Sequence, residues 1–167
     1  MGRMKVVVVV MMILSLSGCG GSDEPDARPD ERAEVTRAAA AEVFPLIGKA
    51  VEALSYSSTG GGAWSICGME PSPSGAEYVA EVAVTQTNVG SSQYPQLIES
   101  ALTSAGWKVG TSSSELVKAA KDGLDLRARF GAGGINLSVT SGCLDLSKDT
   151  IRELTDKPRD DLGLSLP

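Results

Sequence analysis

The chain has 167 residues, with 15 Lys and Arg against 21 Asp and Glu and no histidine, for a formal charge of −6. This length allows one domain with appendages, and the acidic balance argues against a nucleic-acid partner, whose phosphates call for a basic surface. The missing histidine excludes serine-histidine and cysteine-histidine nucleophilic centres and histidine-bearing zinc sites.

Arg3 and Lys5 precede an apolar stretch from Val6 to Leu16, and small residues lead from there to Cys19. This is the layout of an export signal, at about half the roughly 20 apolar residues that a membrane-spanning helix needs. Leu16-Ser17-Gly18-Cys19 resembles the bacterial lipobox. The resemblance implies cleavage before Cys19 and a lipid on its thiol, holding the protein at the extracytoplasmic face of the cell membrane. Loss of residues 1–18 leaves 13 cations against 21 acids, a charge of about −8. Electrostatic docking onto anionic lipid is then disfavoured and the acyl chains do the anchoring, each buried methylene contributing about 0.8 kcal/mol.

With Cys19 lipidated, Cys67 and Cys143 are the remaining cysteines. They form either one disulfide, as an oxidising compartment favours, or two buried free thiols.

Residues 19–30 are acidic and punctuated by Gly and Pro, and read as a flexible tether. Apolar residues spaced by threes and fours from Val35 to Leu54 predict an amphipathic helix ending by Ser57, with Asp30 as its cap and a kink or break near Phe44, before Pro45. Trp64–Cys67 reads as a short strand. From Glu77 to Thr87 the alternation of Tyr78, Ala80, Val82 and Val84 with Val79, Glu81, Ala83 and Thr85 predicts a half-buried strand. Pro95, with Leu97, Ile98, Ala101, Leu102 and Ala105, predicts a second helix stopped by Gly106, and Trp107 opens the next strand.

Leu116–Lys121 and Leu124–Phe130 flank Asp122-Gly123, the signature of a tight hairpin. A further strand carries Ile135, Leu137, Val139, Ser141 and Cys143 in one phase, which sets Cys143 on the core side. Ser147 caps a short helix through Leu154, and residues from Pro158 onward read as a loose tail. The expected fold is an α+β two-layer sandwich over residues 31–157, with an antiparallel sheet of about five strands and two main helices on one face. A more curled sheet approaching a half-barrel is the alternative.

Candidate chemistry is sparse. Glu70, Glu77 and Glu81 are acids near one strand pair, but no cleft or partner is implied for them, and a solvated face explains them better. Thr59-Gly60-Gly61-Gly62 lacks the lysine and the following helix of a phosphate loop. Trp64 and Trp107 are candidates to line a ligand groove, with core packing as the alternative. No catalytic set, metal or cofactor is implied.

The lipobox, the acidic tether, the Gly106-Trp107 strand start, the Lys121-Asp122-Gly123 hairpin and the two strand cysteines together resemble the small uncharacterised lipoproteins of actinobacteria. That resemblance implies lipid attachment at Cys19 and brings no catalytic residues. The expected function is a membrane-anchored, non-enzymatic binding or accessory module of the cell envelope, with an envelope protein as its partner. The alternatives are a small-ligand or cell-wall-polymer binder and a carboxylate-dependent hydrolase.

Overall fold

The computed structural model describes residues 28–57, 60–68 and 73–164. Cys19, the expected export signal and most of the expected tether lie outside the described residues, as does Glu70. The first helix, α1 (Pro29–Ala50), begins with proline at its first turn, where the absent N–H costs nothing. Asp30 is therefore in the first turn instead of capping it, and its charge suits the positive helix end.

Pro45 does not break α1, which continues to Ala50 with Val43, Phe44 and Ile47 buried beneath it. Proline in a helix interior costs about 3 kcal/mol, and burying two or three such side chains at roughly 1.5–3 kcal/mol each outweighs that. The helix also stops earlier than its apolar spacing predicts. Glu52 adopts a positive φ of 49°, and the chain turns into strand β1 (Ala53–Tyr56), leaving Leu54 half exposed. Tyr56 then lies back along the helix, its hydroxyl donating to the Phe44 carbonyl at 3.2 Å over Gly48, where any Cβ would meet the ring hydroxyl.

Strand β2 (Gly61–Cys67) and β1 lie one after the other along one side of the long strand β3 (Gly75–Thr87). Across β3, the sheet continues through β7 (Gly134–Thr140), β6 (Leu124–Gly131), β5 (Leu116–Lys121) and β4 (Lys108–Ser112), all antiparallel. A short β8 (Leu144–Asp145) pairs with the start of β3. The architecture is α+β, but the sheet has eight strands instead of about five. The periodicity hid β1 inside the first helix, and β8 falls in the stretch between the last predicted strand and Ser147, to which the pattern assigns no element.

Between β3 and β4, a 3-10 turn (Ser91–Gln93) leads into α2 (Tyr94–Ser104). The helix closes as expected at Gly106, whose φ is +80°. Gly106 N–H donates to the Thr103 carbonyl and Trp107 N–H to the Leu102 carbonyl, the paired bonds of a Schellman stop. Lys121 donates to the Ala105 carbonyl at 3.0 Å, satisfying one more helix-end oxygen. Gly106→Ala has room for its methyl group but not the backbone freedom, and should lower stability by about 1–2 kcal/mol in urea unfolding.

One face of the sheet, carrying Tyr78, Ala80, Val82, Val84, Val117, Leu126, Ala128, Ile135, Leu137 and Val139, packs under α1 and α2 as a single core. A third helix, α3 (Lys148–Thr155), packs against β2 and β3 through Ile151 and Leu154. Ser147 caps it, accepting from the Thr150 N–H.

Cys67 and Cys143 form a disulfide across 76 positions of sequence. Cys143 is on the surface, not on the core side. Gly142, at φ +76°, ends the alternation after Ser141 and turns the next residue outward. Residues 159–164 are not loose either: Asp160 exchanges both backbone hydrogen bonds with Gly62, and Leu162 and Leu164 pack against the core.

Candidate functional site

Among the described residues, the helices cover only one side of the sheet. Side chains of opposite phase on β3 (Val79, Glu81, Ala83, Thr85) point to the uncovered side, as do Asp125, Arg127 and Arg129 on β6. Register places these residues in rows. One row runs from Glu81 on β3 to Ser138 on β7, Arg127 on β6 and Lys118 on β5. The next runs from Ala83 to Asn136, Arg129 and Leu116.

Arg127 and Lys118 are thus directly opposite each other, a like-charge pairing that destabilises a sheet unless something else compensates. Arg129 lies on the same face roughly 7 Å further along the strand. All three are exposed, and among the described residues none makes an ion pair or side-chain hydrogen bond. Glu81, the nearest acid on β3 in that row, is already held by Arg159 at 2.6 Å. Beside these cations a shallow cavity of about 280 Å³ opens between Gly60, Glu81, Arg129, Asn136 and Ser138. The side chains of Asn136 and Ser138 also make no hydrogen bond among the described residues.

A second concavity, of about 130 Å³, lies where α1, β2 and the segment after α3 meet, and includes Trp64, Tyr78, Arg37 and Asp160. Trp64 packs edge-on against Tyr78 with ring centroids 5.5 Å apart. The Tyr78 hydroxyl donates to Asp160 at 2.6 Å, Arg37 approaches the same carboxylate at 3.6 Å, and its guanidinium lies 5.6 Å from the Tyr78 ring centre. The Tyr78 hydroxyl and Asp160 satisfy each other, whereas Arg37 Nε is buried without a hydrogen bond and has only the long ion pair. The concavity is a structural clasp that ties the last segment to the sheet.

Burial, the hydrogen bond to Asp160 and the Asp160 charge push the Tyr78 phenol far above its ordinary value of 10.0, against a smaller opposing effect of Arg37. Burial raises Tyr56 as well. In both cases the unfolded chain releases its proton at lower pH than the folded one. The stability from these two groups is therefore intact below pH 10 and falls as pH rises beyond it. Urea midpoints at pH 9 and pH 11 test this, and Tyr78→Phe should flatten the dependence.

Of the residues singled out in the sequence, Trp64 lines the clasp partly exposed, whereas Trp107 is buried in the core, 4% exposed, and cannot line a groove. Glu77 and Glu81 are both on the uncovered face of β3, but Glu81 is committed to Arg159. Among the described residues no group of three or more His, Cys, Asp or Glu gathers to hold a metal.

Lys118, Arg127 and Arg129 escaped sequence reasoning as a group, although one signal was present. A two-residue turn at Asp122-Gly123 pairs Lys121 with Leu124, and counting back from there sets Lys118 against Arg127.

No family model and no curated protein matches the chain. Among solved structures it is similar to a DUF4853 family protein from Actinomyces odontolyticus, with 15% sequence identity and a TM-score of 0.47. The alignment covers 86% of this chain and 78% of that one.

Proposed function

We propose that the protein is an exported lipoprotein, anchored through Cys19 at the extracytoplasmic face of the cell membrane, and that it works as a non-enzymatic binding module of the cell envelope. The observation that carries this reading is the uncovered sheet face. Exposed cations without partners stand there beside an open polar cavity, an arrangement suited to contact with another molecule. The Cys67–Cys143 disulfide fits an oxidising compartment, and Leu16-Ser17-Gly18-Cys19 supplies the lipid site. Among the described residues no helix is long and apolar enough to cross a membrane, so the anchor in this reading is the lipid. An envelope protein and a cell-wall polymer are both partners that such a face can take. The polar cavity beside the cations favours the second.

Metabolic labelling with an alkyne fatty acid in the native host, followed by mass spectrometry of the mature N-terminus, tests the anchor. Label on a chain beginning at Cys19 is the expected result, and Cys19→Ala should abolish it. Labelling that persists in Cys19→Ala would overturn the assignment.

A further inference from the structure

We infer that the uncovered face of the sheet binds an acidic polysaccharide, with Lys118, Arg127 and Arg129 pairing its anionic groups and Asn136 and Ser138 hydrogen-bonding its hydroxyls. The inference rests on the reading of the protein as an exported envelope module, since that is where such a polymer would be met.

Three features of the face lead to this class of partner. First, Arg127 and Lys118 directly face each other, and Arg129 adds a third positive charge on the same side. With no acid of the described chain paired to any of them, a row of anions brought by a ligand relieves their mutual repulsion. Two of the three are arginines, whose planar fork suits carboxylate and phosphate alike.

Second, the cavity of about 280 Å³ next to Arg129 offers an amide and a hydroxyl that hydrogen-bond nothing else among the described residues. Those groups match a hydroxyl-rich unit between charges, and a bare mineral polyanion would leave them unused.

Third, the face lacks what a lipid surface would use. The rows that carry the cations hold Glu81, Ser138, Arg127 and Lys118, then Ala83, Asn136, Arg129 and Leu116, with no aromatic residue and only the half-buried Leu116 as a large apolar side chain, and the adjoining row of Val79, Thr140, Asp125 and Ala120 adds one half-buried valine and one acid. Interfacial membrane binding needs buried apolar area in addition to charge. The rows run across the strands, so a linear chain can lie over several cations at once.

The test uses the chain from residue 19 onward with Cys19→Ser, which contains every described residue and removes the lipid as a source of binding. Its affinity is measured by calorimetry for polygalacturonate, a carboxylate polymer, and for phosphomannan, a phosphate polymer. Binding to either supports the inference and tells which anion is preferred. It should weaken with added salt. K118Q/R127Q/R129Q should weaken it by up to about 100-fold, at up to roughly five-fold per exposed ion pair. N136A/S138A should weaken it by about five-fold or more, the usual loss for one or two hydrogen bonds. All five positions are on the uncovered face, and an unchanged circular dichroism spectrum and urea midpoint verify that the variants are folded.

No binding to either polymer, or binding that the triple variant leaves intact, would overturn the inference. So would binding confined to vesicles of phosphatidylglycerol and phosphatidylcholine, which would assign the face to a membrane. The Cys19 labelling experiment is independent of these results. Polymer binding without lipid label would leave the face and remove the anchor, and lipid label without polymer binding would do the reverse.

Discussion

Replacing Cys67 and Cys143 together by serine should lower the unfolding free energy by up to about 4.5 kcal/mol, the loop-closure entropy of a bridge spanning this many residues. The bridge joins positions 76 apart in sequence, so it restricts a large part of the unfolded chain. Both cysteines are near the surface, where serine can be hydrated, so little of the loss should come from desolvation. A second signature follows from where the effect arises. The unfolded state of the variant is more expanded, and the urea m-value should therefore rise while the midpoint falls. Removal of either cysteine alone should act nearly as the double change does. A loss below about 1 kcal/mol would show that the segments around β2 and β8 are held by the sheet alone.

Phe44→Ala should cost about 3–5 kcal/mol, as truncation of a fully buried aromatic usually does. Phe44 has no exposed surface and belongs to the core shared by α1, α2 and the sheet, one residue before the proline that the helix must accommodate. The void would remove the packing that offsets the cost of Pro45, so unfolding should start at this turn. Native-state hydrogen exchange should show Ile47 and Gly48 losing protection before the residues of β6 and β7. Val35→Ala on the exposed side of the same helix is the control. At 44% exposure it should change stability by no more than about 0.5 kcal/mol.

Much of this architecture could be read from local pattern. The alternation along β3 separated covered from uncovered residues because each strand has one dry face. Gly106 and Ser147 marked helix ends because their backbone roles are chemically narrow. The misreadings arose where the deciding contact is distant in sequence. Val51 and Leu54 keep helical spacing, and nothing near Glu52 announces that a non-glycine residue will take a positive φ there. Gly142 takes a positive φ before Cys143, after which Leu144 pairs with Ala76 of β3. Residues after Pro158 look unstructured by composition, yet Gly62, Tyr78 and Glu81 hold Arg159 and Asp160 in place.

The candidate site divides in the same way. The outward phase of Arg127 and Arg129 is legible, and so is their register against Lys118. That no described acid pairs with them, and that Gly60 comes round to wall a cavity near Arg129, depends on β3 and β7 being laid beside them.

The backbone pairing of Asp160 with Gly62 reaches beyond the packing of one terminus. β2 borders the sheet, and an unpaired border strand is a template on which another chain can add itself. The short segment after α3 occupies part of that template from within the molecule. On the opposite border, β4 carries an irregularity between Val109 and Thr111 that disturbs any ordered addition. The protein's colloidal behaviour thus depends on a few residues outside the sheet: release of the last segment would expose the Gly62 end of this border as a site on which another chain can add. Protection against aggregation at high local concentration, as on a crowded surface, is then a kinetic property of how often Asp160 lets go.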